Sequence, residues 1–279
     1  MRRLVKIILL LGLLGLLAWL ALWLFPVTRP RGDTRVSLVS WNVHGLHAET
    51  GENTSSLVLE SLKSIEADVM FFQEFPVART GSRMREQLRA LGYPYEELFV
   101  YDHAQTESYS MGMAIYSRHP IVSRAEFPLV PVLEGRLLAT VEVEVEGRAL
   151  RLGMVHFPNS DIHAYGKRAM LGSEMVGENQ RTIQARALLE VLRPWRDGAL
   201  VLAGDFNTFP LSSAWRLMRG EYLDAFPFTH WGDGTFRIRE NLDVKIDHVF
   251  HTRRVRSLEA KVLPLAGSDH RPVYARLQF

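Results

Sequence analysis

The chain of 279 residues has no cysteine. Disulfides, thiolate metal sites and cysteine nucleophiles are excluded, and nothing about redox compartment follows. The nucleophile elbow G-x-S-x-G and the phosphate loop G-x-x-x-x-G-K-[ST] are also missing, which argues against a Ser-His-Asp hydrolase and a P-loop nucleotide enzyme. There is no internal repeat and no low-complexity tract. Charge is absent from Ile7 to Phe25, "IILLLGLLGLLAWLALWLF". An excess of one sign is absent from the rest. Six of the 33 Lys and Arg and one of the 31 Asp and Glu lie in residues 1–35, so the remainder holds 27 basic against 30 acidic residues. A domain with a net charge of −3 exerts no general pull on nucleic acid.

The uncharged segment is long enough as a helix, ~28 Å, to cross a bilayer. Arg2, Arg3 and Lys6 precede it, and Trp19 and Trp23 near its far end suit a membrane interface. A cleaved signal peptide is the competing reading, but "LWLFPVTRP" offers no small-x-small cleavage site. Residues 1–27 are therefore expected to be a single-pass transmembrane anchor. Residues 28–35 form a linker, read from the Pro- and Gly-bearing "PVTRPRGDT" (Pro26–Thr34), and residues 36–279 the globular domain. The flanking charges place that domain on the extracytoplasmic side.

An apolar content of 47% supports a sizeable core. Short apolar runs predict strands over Val36–Val43, Asp68–Gln73, Met111–Tyr116, Leu137–Glu146, Ala149–His156, Ala199–Ala203, Lys245–His251 and Arg271–Phe279. Two alternating runs around Glu146-Gly147-Arg148 read as a hairpin. Helical spacing predicts helices over Ser55–Glu66, Ser82–Leu91, Asn179–Trp195 and Ser212–Arg219. The mixture indicates an α/β (α+β) domain with mixed strand directions.

The chemistry gathers where these runs end. "LVLAGDFNTFP" closes a buried-looking strand with Asp205 and Asn207, two apart and so on one face. "VSLVSWN" ends in Asn42, "DVMFFQE" in Glu74, and "LRLGMVHFPN" in His156 and Asn159. "KIDHVF" has Asp247 near a strand start, and "AGSDHRPV" sets Asp269 and His270 before the last strand. Each alone reads as a cap, a turn or a surface group. Six runs that carry acids, amides and histidines at one kind of boundary suggest a site, because ligands in α/β proteins collect at strand ends.

"SWNVHGL", "FFQEF", "GDFNTFP", "IDHVF" and "SDHRPV", in this order, resemble the endonuclease/exonuclease/phosphatase superfamily. Its members include apurinic endonucleases, DNase I, neutral sphingomyelinases and inositol polyphosphate 5-phosphatases. The resemblance spans roughly Val36 to Phe279. It implies a four-layer sandwich of two mixed β-sheets flanked by helices, and a divalent metal, Mg²⁺ or alternatively Mn²⁺. By motif, Asn42, Glu74 and Asp269 match residues in or beside the metal shell. Asp205 and Asn207 match the pair beside the attacked phosphorus, and Asp247 and His270 the orienting acid and its histidine. His156 and Asn159 fall where relatives face the phosphate. His44 stands where some nuclease relatives have an acid and reads as a loop histidine.

The expected function is metal-dependent phosphodiester hydrolysis by an activated water. The substrate is a nucleic acid or another phosphodiester; alternatively it is a phospholipid or sphingomyelin headgroup, which the membrane anchor would bring close. The segment Asp161–Gln180 could dip toward a bilayer or simply cover the domain. A catalytically inactive membrane-tethered binding module is a third reading, disfavoured because Glu74, Asp205, Asp269 and His270 are all present. No feature points to a protein partner.

Overall fold

The computed structural model of the chain describes residues 2–24, 27–48, 50–77, 82–101, 111–129, 137–158, 175, 177–226, 230, 233–239, 242–264 and 266–279. It opens with helix α1, Arg2–Leu24, along which Leu9, Leu13, Leu16 and Trp19 are exposed. Among the described residues, no helix is long and apolar enough to cross a membrane. The helix forms over the expected segment, but the membrane-crossing span expected of it is not found among the described residues.

After α1, Arg29 N–H donates to the Arg253 carbonyl at 2.6 Å, and Gln278 Nε2 to that of Gly32 at 3.0 Å, so the linker lies along the domain. The remaining elements are β1 (Arg35–Asn42), α2 (Ser55–Lys63), β2 (Val69–Pro76), α3 (Ser82–Ala90), β3 (Tyr95–Val100), β4 (Met111–Ser117), β5 (Ile121–Pro128), β6 (Leu137–Val145) and β7 (Arg148–His156). They continue with α4 (Gln180–Leu192), β8 (Leu200–Asp205), α5 (Ser213–Glu221), β9 (Leu223–Asp224), β10 (Phe236–Arg239), β11 (Leu242–Val244), β12 (Asp247–His251), β13 (Arg256–Val262) and β14 (Val273–Gln278).

Two six-stranded mixed sheets result. The first has the order β13-β14-β1-β2-β4-β3 and the second β5-β6-β7-β8-β12-β9. Each has one parallel pair at its heart, β1 with β2 and β7 with β8. These strands are apolar on both faces because both faces are covered. Val36, Leu38 and Phe71 of the first sheet share a core with Leu152, Leu202 and Phe250 of the second. On the other face of the first sheet, Val39, Trp41, Met70 and Phe72 pack with Val58 and Leu62 of α2 and Met84 and Leu88 of α3. Helices α4 and α5 supply Leu188, Trp215 and Met218 to the shared core. The architecture is thus two mixed sheets flanked by helices.

The expected hairpin is present: β6 and β7 are antiparallel and Val145 pairs with Arg148. Its two loop residues, Glu146 and Gly147, have φ of 52° and 73°, the backbone of the turn that matches strand twist.

Candidate active site at the strand ends

Register brings the site together. In the second sheet, His156 pairs with Asp205 across β7 and β8, and Asp247 pairs with Asp205 across β12 and β8. Three chemically active side chains therefore stand abreast at one sheet end. Close approach of β7 and β8 depends on Gly204, whose φ is 153°; a Cβ there would collide with the Val155 carbonyl. In the first sheet, Asn42 pairs with Gln73, which puts Glu74 one residue beyond. Glu74 itself lies in the register break between Phe72 and Phe75.

The two sheets meet through Asn42. Its Nδ2 donates to Glu74 Oε1 at 3.0 Å and to Asp205 Oδ2 at 3.2 Å. His156 Nε2 lies 3.6 Å from each of those two oxygens. His270 Nε2 lies 3.7 Å from Asp205 Oδ2, while its Nδ1 is 3.0 Å from Asp247 Oδ2. Asp205 Oδ1 accepts the Asn207 N–H at 2.8 Å, and Asn207 Nδ2 donates to the Phe157 carbonyl at 2.9 Å.

The Asp269-His270 loop is stapled to the same end. Ser268 Oγ donates to the Asn42 carbonyl at 2.7 Å, lies 3.1 Å from Asp269 Oδ1, and accepts the His270 N–H at 3.1 Å. Trp41 Nε1 donates to the His270 carbonyl at 2.9 Å. Asp269 and Glu74 are thus both tied to Asn42, one through its backbone and one through its side chain. His44, expected to be a bystander, has its Nδ1 3.5 Å from Asp269 Oδ1.

Burial sets the electrostatics. Burial pushes the Asp205 carboxyl up to about 7; nearby His270 pulls it down and Asp247 pushes it up. Burial alone would lower His270, but the Asp247 and Asp205 carboxylates outweigh it and raise the ring to about 10. A cationic His270 between two acids is the consistent state of this trio at neutral pH.

Asp205, Asp247 and His270 each offer an atom within 4.8 Å of the others, and the group could hold a metal. It differs from the expected ligand set. Its members are all buried, and His270 Nδ1 is already engaged by Asp247, although the buried Asp247 Oδ1 has no hydrogen-bond partner. The expected acids Glu74 and Asp269 are 30% and 18% exposed at the side chain, where a hydrated cation can reach them. Their oxygens are the donor type that Mg²⁺ takes, so these residues fit a hard divalent ion. The expected oxygen of Asn42 instead accepts the His44 N–H at 3.1 Å, and its NH₂ faces the carboxylates.

Of the expected site residues, Asn42, Glu74, His156, Asp205, Asn207, Asp247, Asp269 and His270 share this one end. Asn159 and most of Asp161–Gln180 lie outside the described residues. Sequence reasoning missed Tyr101, whose hydroxyl is 2.6 Å from His156 Nδ1, and Phe236, whose ring centroid is 4.8 Å from that of His270. It also missed Arg181 of α4, a buried cation that interacts with Asp205. None of these sits in a motif; only the folded arrangement brings them in. A cavity of about 590 Å³ lined by Ser37, Asp68, Tyr93 and Arg118 opens at the opposite end of β1 and β2 and includes none of the site residues.

A cluster of acids, amides and histidines assembled from the ends of two mixed sheets defines a class. Residues 39–270 match the model of the Endonuclease/Exonuclease/phosphatase family. The chain belongs to that family. No curated protein matches it. Among solved structures, it is similar to an endonuclease/exonuclease/phosphatase from Beutenbergia cavernae DSM 12333, at 20% identity over 88% of this chain and 72% of that one, with a TM-score of 0.65. Zebrafish (D. rerio) TDP2 complexed with a single strand DNA product matches at 18% identity over 88% and 100%, with a TM-score of 0.65. A mannosyl-6-phosphatase of Bacteroides thetaiotaomicron VPI-5482 matches at 18% over 88% and 100%, with a TM-score of 0.63. The likeness shows that the fold is that of the phosphoesterases.

Proposed function

We propose that the chain is a membrane-anchored, divalent-metal-dependent phosphodiesterase that hydrolyses its substrate by direct attack of an activated water. The observation that carries this reading is the row His156, Asp205, Asp247 at the end of the second sheet, closed by His270 and joined to Glu74 through Asn42.

Phosphodiesters resist attack because their oxygens are already negative. Glu74 and Asp269 would hold a divalent ion, which when bound would supply Lewis-acid withdrawal of that charge. Asp205 orients the attacking water and takes its proton; a carboxyl raised to about 7 is poised for that exchange near neutral pH. His270, kept cationic by Asp247, and His156 stabilise the negative charge that grows on the phosphoryl oxygens. Asn207 is held on the same face by the Phe157 carbonyl, and Asn159 is assigned to the substrate phosphate by motif.

Nucleic acid is one candidate substrate, supported by the DNA product bound to zebrafish TDP2. A phospholipid or sphingomyelin headgroup is the second, supported by α1. The uncharged part of that helix, Ile7–Leu24, is ~27 Å long, close to the hydrocarbon thickness. In this reading Arg2, Arg3 and Lys6 remain in the cytoplasm and the domain works on the other side, where tethering raises the effective concentration of headgroups.

The test is a substrate panel on the full chain in detergent. It compares single- and double-stranded DNA, RNA, sphingomyelin and glycerophospholipid vesicles, and aryl phosphomonoesters and diesters, in EDTA and then in excess Mg²⁺ or Mn²⁺. Metal-restored diester hydrolysis supports the reading, and the preferred member names the substrate. Inactivity on every member rejects it. Carbonate washing of membranes tests the anchor separately: release of the intact chain into the soluble fraction contradicts it.

A further inference from the structure

Tyr101, one residue beyond β3, makes two contacts that the reaction scheme above leaves unused. Its hydroxyl accepts the Glu74 N–H at 3.2 Å and lies 2.6 Å from His156 Nδ1. The two rings are tilted by 52° with centroids 5.6 Å apart.

Both contacts fall on strained or underdetermined groups. Glu74 has a φ of 50°, uncommon for a residue with a side chain, and no registered partner on β4. The hydroxyl of Tyr101 gives its N–H the acceptor that a bulged strand residue otherwise lacks. His156 is nearly fully buried, and its neutral ring has two tautomers. Its Nε2 faces Glu74 Oε1 and Asp205 Oδ2, both at 3.6 Å. Two carboxylate oxygens draw the ring proton to Nε2, since a lone pair there would face negative charge. Nδ1 is then an acceptor and needs a donor. A tyrosine hydroxyl has one proton to give and lone pairs to receive with, which matches a donor to Nδ1 that also accepts from Glu74.

We propose that Tyr101 is a positioning residue: it fixes His156 as the Nε2–H tautomer and, with the same oxygen, holds the backbone turn that aims Glu74. The proposal deepens the phosphoesterase reading, on which only its kinetic arm rests. In this tautomer His156 presents an N–H to the phosphoryl oxygens. In the other it would present a lone pair, which repels them.

The primary measurement needs no variant. Nitrogen-15 correlation spectra of the metal-free full chain in detergent micelles, near pH 8, report which nitrogen of His156 carries the proton; His156→Gln assigns the signals. The expected result is a bare, hydrogen-bonded Nδ1 and a protonated Nε2. Tyr101→Phe keeps the ring and removes the oxygen. It should give a mixture of tautomers, and with Mg²⁺ an about 10- to 10²-fold lower kcat on an aryl phosphodiester with little change in KM, the usual cost of losing a histidine-orienting partner. A wild-type His156 protonated at Nδ1, alone or together with Nε2, overturns the proposal. So does a Tyr101→Phe protein that keeps both the single tautomer and the kcat. A wild-type protein inactive on every phosphoester rejects the phosphoesterase reading, and the tautomer then decides this proposal by itself.

Discussion

Asparagine in place of Asp247 removes one negative charge from the floor of the site and keeps the side chain's shape. The carboxylate lies 3.0 Å from His270 Nδ1, and both side chains are buried. Unit charges that far apart attract by about 5 kcal/mol at an effective dielectric constant of about 20. A histidine that titrates at about 10 instead of its ordinary 6.5 shows a net gain of similar size, reached against the opposing effect of burial and with further help from Asp205. The substitution should therefore return His270 toward the ordinary histidine range, leaving it largely neutral near pH 8. The new amide can also donate to Nδ1 and hold the ring in the wrong tautomer. Turnover should fall by about 10²–10⁴-fold. Stability follows the same linkage. His270 titrates higher folded than unfolded, so its contribution is whole below pH 6.5 and disappears as pH rises through about 10. Near neutral pH the wild type should exceed Asp247→Asn by about 3 kcal/mol, the low end for breaking a buried pair, because Asp205 still lies 3.7 Å from the ring. The gap should narrow above pH 10. Histidine NMR titrations and urea unfolding at neutral and high pH measure both effects. A His270 still cationic near pH 8 in the variant, or a stability gap indifferent to pH, would refute the reasoning.

Three other outcomes are expected. Asp205 titrates higher folded than unfolded, so ionising it costs stability increasingly from pH 3.8 to about 7; thermal melts of the metal-free protein should show Asp205→Asn gaining on the wild type across that window. Glu74→Gln should weaken Mn²⁺ binding at least about tenfold, read by electron paramagnetic resonance, with only a small change in melting temperature since the side chain is partly exposed. The Asp224 side chain is buried 3.7 Å from His248, and the nearby Lys245 charge together with the His248 contact holds its carboxyl well below the usual range despite burial. Asp224→Asn strands the buried Lys245 and should cost about 3–5 kcal/mol in urea unfolding, and adding Lys245→Met should restore much of it.

The central strands were legible because burial on both faces leaves an uninterrupted apolar run. Their exact ends were not, and the ends matter most. The run expected to stop at Ala203 continues to Asp205, so the acid is the last residue of β8 and shares its register with His156 and Asp247. The strand expected to stop at Gln73 passes Glu74 through a bulge. At β14 the ladder starts two residues late, at Val273, because Pro272 has no N–H to give. The sheet-edge strands β3, β5 and β13 escaped notice, since one solvent-facing side fills them with charges such as Arg124, Glu126 and Glu259. The site residues at strand ends stood out as polar groups closing apolar runs. Tyr101 did not, because a tyrosine after an edge strand has many ordinary reasons to be there, and its partners lie 27 and 55 positions away.

The most direct test of the central claim is the turnover of an aryl phosphodiester by the EDTA-stripped full chain, before and after Mg²⁺ is restored, in wild type and Asp205→Asn. Hydrolysis that returns with Mg²⁺ in the wild type and stays at least about 10²-fold lower in the variant is the predicted result. Hydrolysis that is equally fast without metal, or undiminished by the loss of Asp205, contradicts a single metal-dependent centre at the ends of the two sheets.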